Sequence, residues 1–149
     1  MSHEERNTLV NLISSLAVNA WFLSRIWTMF HDGTSTAPDG LQIWAQTMLW
    51  VVPVSIGTTI ALTILTTIAV SIVTRDMSMR AVVDERDRTF QVYGMGATMA
   101  AAIVGFLASM VLLAMGQGGF VAFNVIYLGF FVGDIAGNLV KLGLYRCGT

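Results

Sequence analysis

The chain has 149 residues, of which 55% are hydrophobic and 11% charged, and a formal net charge of −1. Its mean hydropathy is +0.70. A chain this short leaves much of its surface exposed, so one soluble core cannot hide so much apolar side chain. A soluble globular enzyme, a disordered tail and a disulfide-rich secreted domain are excluded, and an integral membrane protein remains. The balanced charge offers no basic surface to nucleic acid. The single Cys147 excludes an internal disulfide and any cysteine-based zinc or iron–sulfur site.

Three runs contain no Asp, Glu, Lys or Arg: 7–24, 40–74 and 89–133. A bilayer core about 30 Å thick takes roughly 20 helical residues per crossing. The first run, carried past Arg25, gives a span at about 8–30. It is too long for the apolar region of a cleavable signal peptide and reads as a retained first span. Asn11, Ser15 and Asn19 share one of its faces, with Asn19 near mid-membrane, where an amide usually finds a partner across a helix interface. Trp27, with Trp44 and Trp50 of the next span, fits an interfacial aromatic belt.

The second run gives an interfacial entry turn and a span at about 45–74, with Pro53 expected to kink it. Ser55, Thr59, Thr63, Thr67 and Ser71 make a hydroxyl stripe. Each hydroxyl either bonds back to a carbonyl of its own helix or faces a partner helix or a file of water. The loop 75–90 follows, with balanced charges that do not make a polybasic lipid-binding segment. Its residues Asp84, Glu85, Arg86, Asp87 and Arg88 form either a solvated helical lead-in to the third span or a docking site for a partner.

The third run is too long for one span, and Gly116-Gln117-Gly118-Gly119 breaks it at a tight turn. The spans predicted on either side lie at about 91–115 and 120–142. The fourth carries Gly129, Gly133 and Gly137 on one face, and the third carries Ala97, Ala101, Gly105 and Ser109 at the same interval. Small residues let helix backbones approach, so these two spans are expected to form a tight antiparallel hairpin, glycine face on alanine face. A glycine-lined pore in an oligomer is the other reading.

The fourth span also holds Asp134, a carboxylate expensive to keep in a membrane and by default functional. Asn138 and Lys141 lie one and two turns further on, so the three can form a ladder toward the membrane surface. Asp134 is then either an ion- or proton-handling group, or a buried acid that locks the bundle, satisfied by Asn19, by hydroxyls or by the loop arginines. The expected fold is an all-α, antiparallel four-helix membrane bundle in a single domain. Seven of the eight basic residues flank one side, and positive residues stay cytoplasmic. Both termini and the 75–90 loop are therefore expected inside the cell.

Asp84-Glu85-Arg86-Asp87-Arg88, the apolar hairpin after it, and the ending Asn138-Leu-Val-Lys141-Leu-Gly-Leu-Tyr145-Arg146 resemble a bacterial family of small multi-pass membrane proteins without an assigned activity. The resemblance is clearest over residues 84–147, and the first two helices resemble the longer four-helix members. Members often end in Arg-Arg-Gly where this chain has Arg146-Cys147-Gly148. The resemblance implies a bacterial inner membrane and four helices, and brings no reaction.

The two histidines, His3 and His31, are placed outside the spans, which argues against bis-histidine haem ligation in the bundle. No sequence cluster has metal-ligand spacing, and no phosphate-cradling loop or Ser–His–Asp set can be assembled. No cofactor is expected. The expected role is non-catalytic: an accessory, assembly or regulatory subunit of a larger membrane complex, in contact with lipid and with another membrane protein or a second copy. The alternative is a small homo-oligomeric proton- or ion-coupled transporter or channel using Asp134.

Overall fold

The computed structural model describes residues 3–74 and 85–147. Four helices account for almost all of them: α1 (His3–His31), α2 (Gly40–Thr74), α3 (Glu85–Ala114) and α4 (Gly119–Cys147). A short 3-10 turn at Thr34–Thr36 joins α1 to α2, and there is no strand among the described residues. All four helices are long and apolar enough to cross a membrane. The protein is thus an all-α, multi-pass integral membrane protein, since in lipid a helix satisfies each backbone group within its own segment.

The helices overrun the bounds read from the sequence. α1 starts at His3 instead of residue 8, and α4 continues to Cys147 instead of 142. The entry turn expected before residue 45 is the first turn of α2. Residues 85–90 are the first turns of α3, the helical lead-in weighed for that stretch, and the rest of the 75–90 loop, with Asp84, lies outside the described residues. A charge-free run marks only the part of a helix immersed in hydrocarbon. At 29 to 35 residues, the helices are about 44–52 Å long and carry their polar ends beyond that layer. α2 continues through Pro53.

The turn between α3 and α4 closes on Gly116, whose φ of 82° is left-handed. Gly116 N–H donates to the Leu113 carbonyl and Gln117 N–H to that of Leu112, both at 3.0 Å. This paired pattern satisfies the last carbonyls of α3 and needs a residue without a Cβ at the reversal.

In space the helices follow the order α3, α4, α1, α2. α3 lies along α4, α1 packs against another face of α4 and against α2, and α2 meets α4 only weakly. The α3–α4 seam is a close approach of backbones. A Cβ on Gly105 would stand 2.6 Å from the Gly129 Cα, and one on Gly133 would stand 2.7 Å from the Thr98 carbonyl oxygen. A Cβ on Gly137 would collide with the Thr98 hydroxyl. The expected hairpin is there, with Ala101 and Gly105 of α3 against Gly129 and Gly133 of α4: a Cβ on Gly133 would stand 3.3 Å from that of Ala101. Gly105 meets glycine, and Gly94 and Thr98 continue the seam on α3, while Ala97 lies beside it in a shallow apolar groove with Val104 and Val132.

The core between α1, α2 and α4 sits toward the end of the bundle that carries the two tight turns. Phe22 is fully buried at its centre, with Val18, Ile26, Trp44, Val51, Phe120 and Tyr127 around it. Its ring lies 4.4 Å from that of Tyr127 and 6.3 Å, edge-on, from that of Trp44. Trp44 is therefore no belt residue: it is 8% exposed and its indole N–H donates to Asn124 Oδ1 at 3.1 Å. An indole with an amide acceptor at hand lies better inside a helix interface than against lipid. Trp27 and Trp50 remain exposed.

Candidate functional site: a polar cavity within the bundle

Below the aromatic core, toward the end that carries both termini, the same three helices diverge around a cavity of about 360 Å³. Each wall is a helical stripe at three- and four-residue spacing. α1 supplies Asn11, Ser14, Ser15, Val18 and Asn19; α2 supplies Val51, Ser55 and Thr59; α4 supplies Asp134, Asn138 and Lys141. Residues three and four apart share a helix face, which is why three short polar patterns far apart in sequence converge on one space. Along α1 the lining extends over eight residues, about 12 Å of axis.

The cavity is closed toward the aromatic core. The Tyr127 hydroxyl donates to Asn19 Oδ1. The Asn19 amide donates in turn to the Ser15 carbonyl at 2.7 Å and the Ser15 hydroxyl at 3.1 Å. Asn19 thus has the cross-helix partner expected for an amide at that depth, in a tyrosine two turns inside α4. Val18 and Val51 complete this roof. On the opposite wall the Ser14 and Thr59 hydroxyls bond each other at 2.9 Å, tying α1 to α2.

Asp134 is half-buried on the floor formed by α4. Asn138 Nδ2 donates to the Asp134 backbone carbonyl at 2.9 Å and to its Oδ1 at 3.2 Å. That is one bond to a group with about four acceptor sites, and it comes from the same helix. Among the described residues no lysine or arginine lies within ion-pair distance of this carboxylate. The expected ladder therefore forms only in its first rung: Asp134 meets Asn138, and Lys141 stands apart. The Lys141 stem lies over α3, where a Cβ on Gly94 would come 2.5 Å from Cε and 2.7 Å from Cγ.

All four residues singled out for a polar site, Asp134, Asn138, Lys141 and Asn19, line this one cavity. Several of the partners considered for Asp134 are engaged elsewhere. Asn19 is held by Tyr127 and Ser15, and the nearby hydroxyls of Ser14 and Thr59 hold each other. Arg86 stacks 5.2 Å from the centre of the Phe90 ring, and Arg75 and Arg80 lie outside the described residues.

The sequence reading missed the α2 contribution in part, because only Ser55 and Thr59 of the stripe face the cavity. Thr66, off the stripe, bonds back to the carbonyls of Leu62 and Thr63, whereas Thr59 bonds across to Ser14. Asn124, buried and bonded to Trp44 and to the Phe120 carbonyl, was not singled out either. An asparagine inside a charge-free run was the available signal.

Of the residues considered for docking, Asp87 is used within the chain. The Tyr145 hydroxyl donates to its Oδ1 at 2.9 Å, and Phe90 meets the Tyr145 ring edge-on at 5.0 Å. These contacts fasten the start of α3 to the end of α4, and Arg146 at 3.9 Å from Glu5 joins α1 to the same end. Glu85 and Arg88 point outward. Among the described residues no group of three His, Cys, Asp or Glu side chains lies together. No protein-family model, curated protein or solved structure matches the chain.

Proposed function

We propose that the protein takes a small ion or polar solute into the cavity between α1, α2 and α4, as a non-catalytic, homo-oligomeric transporter or channel in which Asp134 is the coupling acid. One observation carries this reading: a half-buried carboxylate faces an intramembrane cavity with no ion-pair partner among the described residues. An ionisable group at such depth is costly, and a purely structural acid gains more by bonding across an interface than by meeting only Asn138 of its own helix. Four helices are few for a solitary pathway, which is why self-association belongs to the proposal. In sealed vesicles holding the reconstituted protein and a pH-sensitive dye, an imposed gradient should drive a proton or ion flux that Asp134→Asn removes. A wild-type protein that carries none overturns the reading.

The accessory-subunit reading is favoured by α2. Beyond Val51 none of its described residues is buried, so a long apolar helix surface is left to lipid or to a partner. Extraction in a mild detergent should then recover a distinct second membrane protein. The excess of basic residues at the terminal end, together with the resemblance over residues 84–147, supports placing both termini in the cytoplasm of a bacterial cell. Exposed Cys147 is the chain's single thiol. A membrane-impermeant maleimide should label it after permeabilisation and leave it unlabelled in intact cells.

A further inference from the structure

We infer that the ligand of this cavity is a small zwitterion, an amino acid or a molecule of that design, with its ammonium end on Asp134 and its carboxylate end on Lys141. This rests on the reading that the cavity takes up a small solute, and gives that solute a chemical class. The cavity is lined by one acid and one amine, both from α4, seven residues and about 10 Å of axis apart. Opposite charges this close in a poorly screened interior attract strongly, and a lysine stem is long enough to swing toward a carboxylate two turns away. They nevertheless do not pair. The Lys141 stem is seated on α3 over Gly94, the one position of the seam where a missing side chain makes room for it. Asn138 lies between the two charges and bonds Asp134.

Such a pair of separated charges discriminates by sign. A simple cation satisfies Asp134 and is repelled by the ammonium of Lys141, and a simple anion meets the reverse. A neutral solute leaves both charges unanswered. A molecule bearing both signs answers both and adds no net charge to a site inside the bilayer, where net charge is costly. The remaining lining of amides and hydroxyls from Asn11, Ser15 and Ser55 can bond either end. A volume of about 360 Å³ suits a molecule of this size.

The test is binding to the full-length protein in lipid nanodiscs, followed by calorimetry. The probes are glycine, β-alanine, 4-aminobutyrate and 6-aminohexanoate, which carry the two charges at increasing spacing, with propylamine, propionate and sodium ion as single-charge controls. One of the four amino acids should bind about tenfold or more tightly than any control. Asp134→Asn and Lys141→Met should each remove about that factor, the loss that follows when one partner of a charged hydrogen bond goes. The inference is overturned if propylamine or sodium binds as well as every amino acid and depends on Asp134 alone, with the ion-handling reading left standing. If nothing binds and the vesicles show no flux, both fall together.

Discussion

At the level of Gly133 and Asp134 the molecule shows two ways of joining helices in lipid, one on each side of α4. Toward α3 the interface is made by leaving side chains out: Gly105 and Gly129 bring two backbones together, and a Cβ on either would stand 2.6 to 2.7 Å from the other's Cα. Toward α1 and α2 it is made by side chains that lipid cannot satisfy, with Ser14 bonded to Thr59, Tyr127 to Asn19, and a polar cavity between them. Lipid tails are as apolar as leucine, so burying leucine against another helix gains little there. Close packing and hydrogen bonds across helices are the two forces left, and each side of α4 uses one. Close packing leaves no space and so makes a rigid wall. Hydrogen bonding between separated helices leaves room for a ligand.

The comparison breaks most visibly at the seam. Gly129→Leu must force α3 and α4 apart against backbone, and a loss of about 3 kcal/mol or more is expected in a detergent melt, at the upper end of overpacking costs. Gly143→Leu is its control: a Cβ there meets nothing within 4 Å, so the melt should be unchanged. Equal losses from both would mean that the seam is not a close-packed contact.

On the polar side single bonds count for less. Tyr127→Phe removes one hydroxyl from Asn19, and a loss of about 0.6 kcal/mol is expected, with about 1.7 as the upper end for such bonds in membranes. Unfolding in a graded denaturing detergent would measure it, and a loss as large as that of Gly129→Leu would erase the distinction between the two sides.

Ser109 sharpens the contrast with the opposite sign. It is fully buried on α3, and its hydroxyl has no hydrogen-bond partner among the described residues. Ser109→Ala should be neutral or raise stability by about 0.5 kcal/mol, because an unanswered buried hydroxyl costs free energy. The smallest effect belongs to Asp134→Leu. The acid bonds only within its own helix, so the melt should move by less than about 0.5 kcal/mol while any flux is lost. A large destabilisation would make Asp134 a lock on the bundle.

Much of this was legible in the residue order. The charge-free runs counted the helices, the four-residue ladder of Gly129, Gly133 and Gly137 marked the close-packed face of α4, and Asp134 with Asn138 one turn on marked its polar face. Asn11, Ser15 and Asn19 likewise read as one face, and they line one wall. Other particulars were hidden. Trp44 looked like an interfacial anchor and is a core residue bonded to Asn124, eighty positions away. Ala97 looked like part of the seam, which instead uses Gly94 and Thr98. Asp87 looked available to a partner and is held by Tyr145.

The order of residues alone determined that the protein is helical, that it crosses a membrane four times and that glycine and polar stripes exist, because each of these depends on the composition or spacing within a single segment. Tertiary structure alone decided which stripe faces which. In a soluble protein an apolar face announces the side that packs, but these helices are apolar nearly all round, and lipid and protein interior are alike to them. Only the assembled fold, with α1 and not α3 opposite Asp134, could turn three scattered patterns into a single cavity.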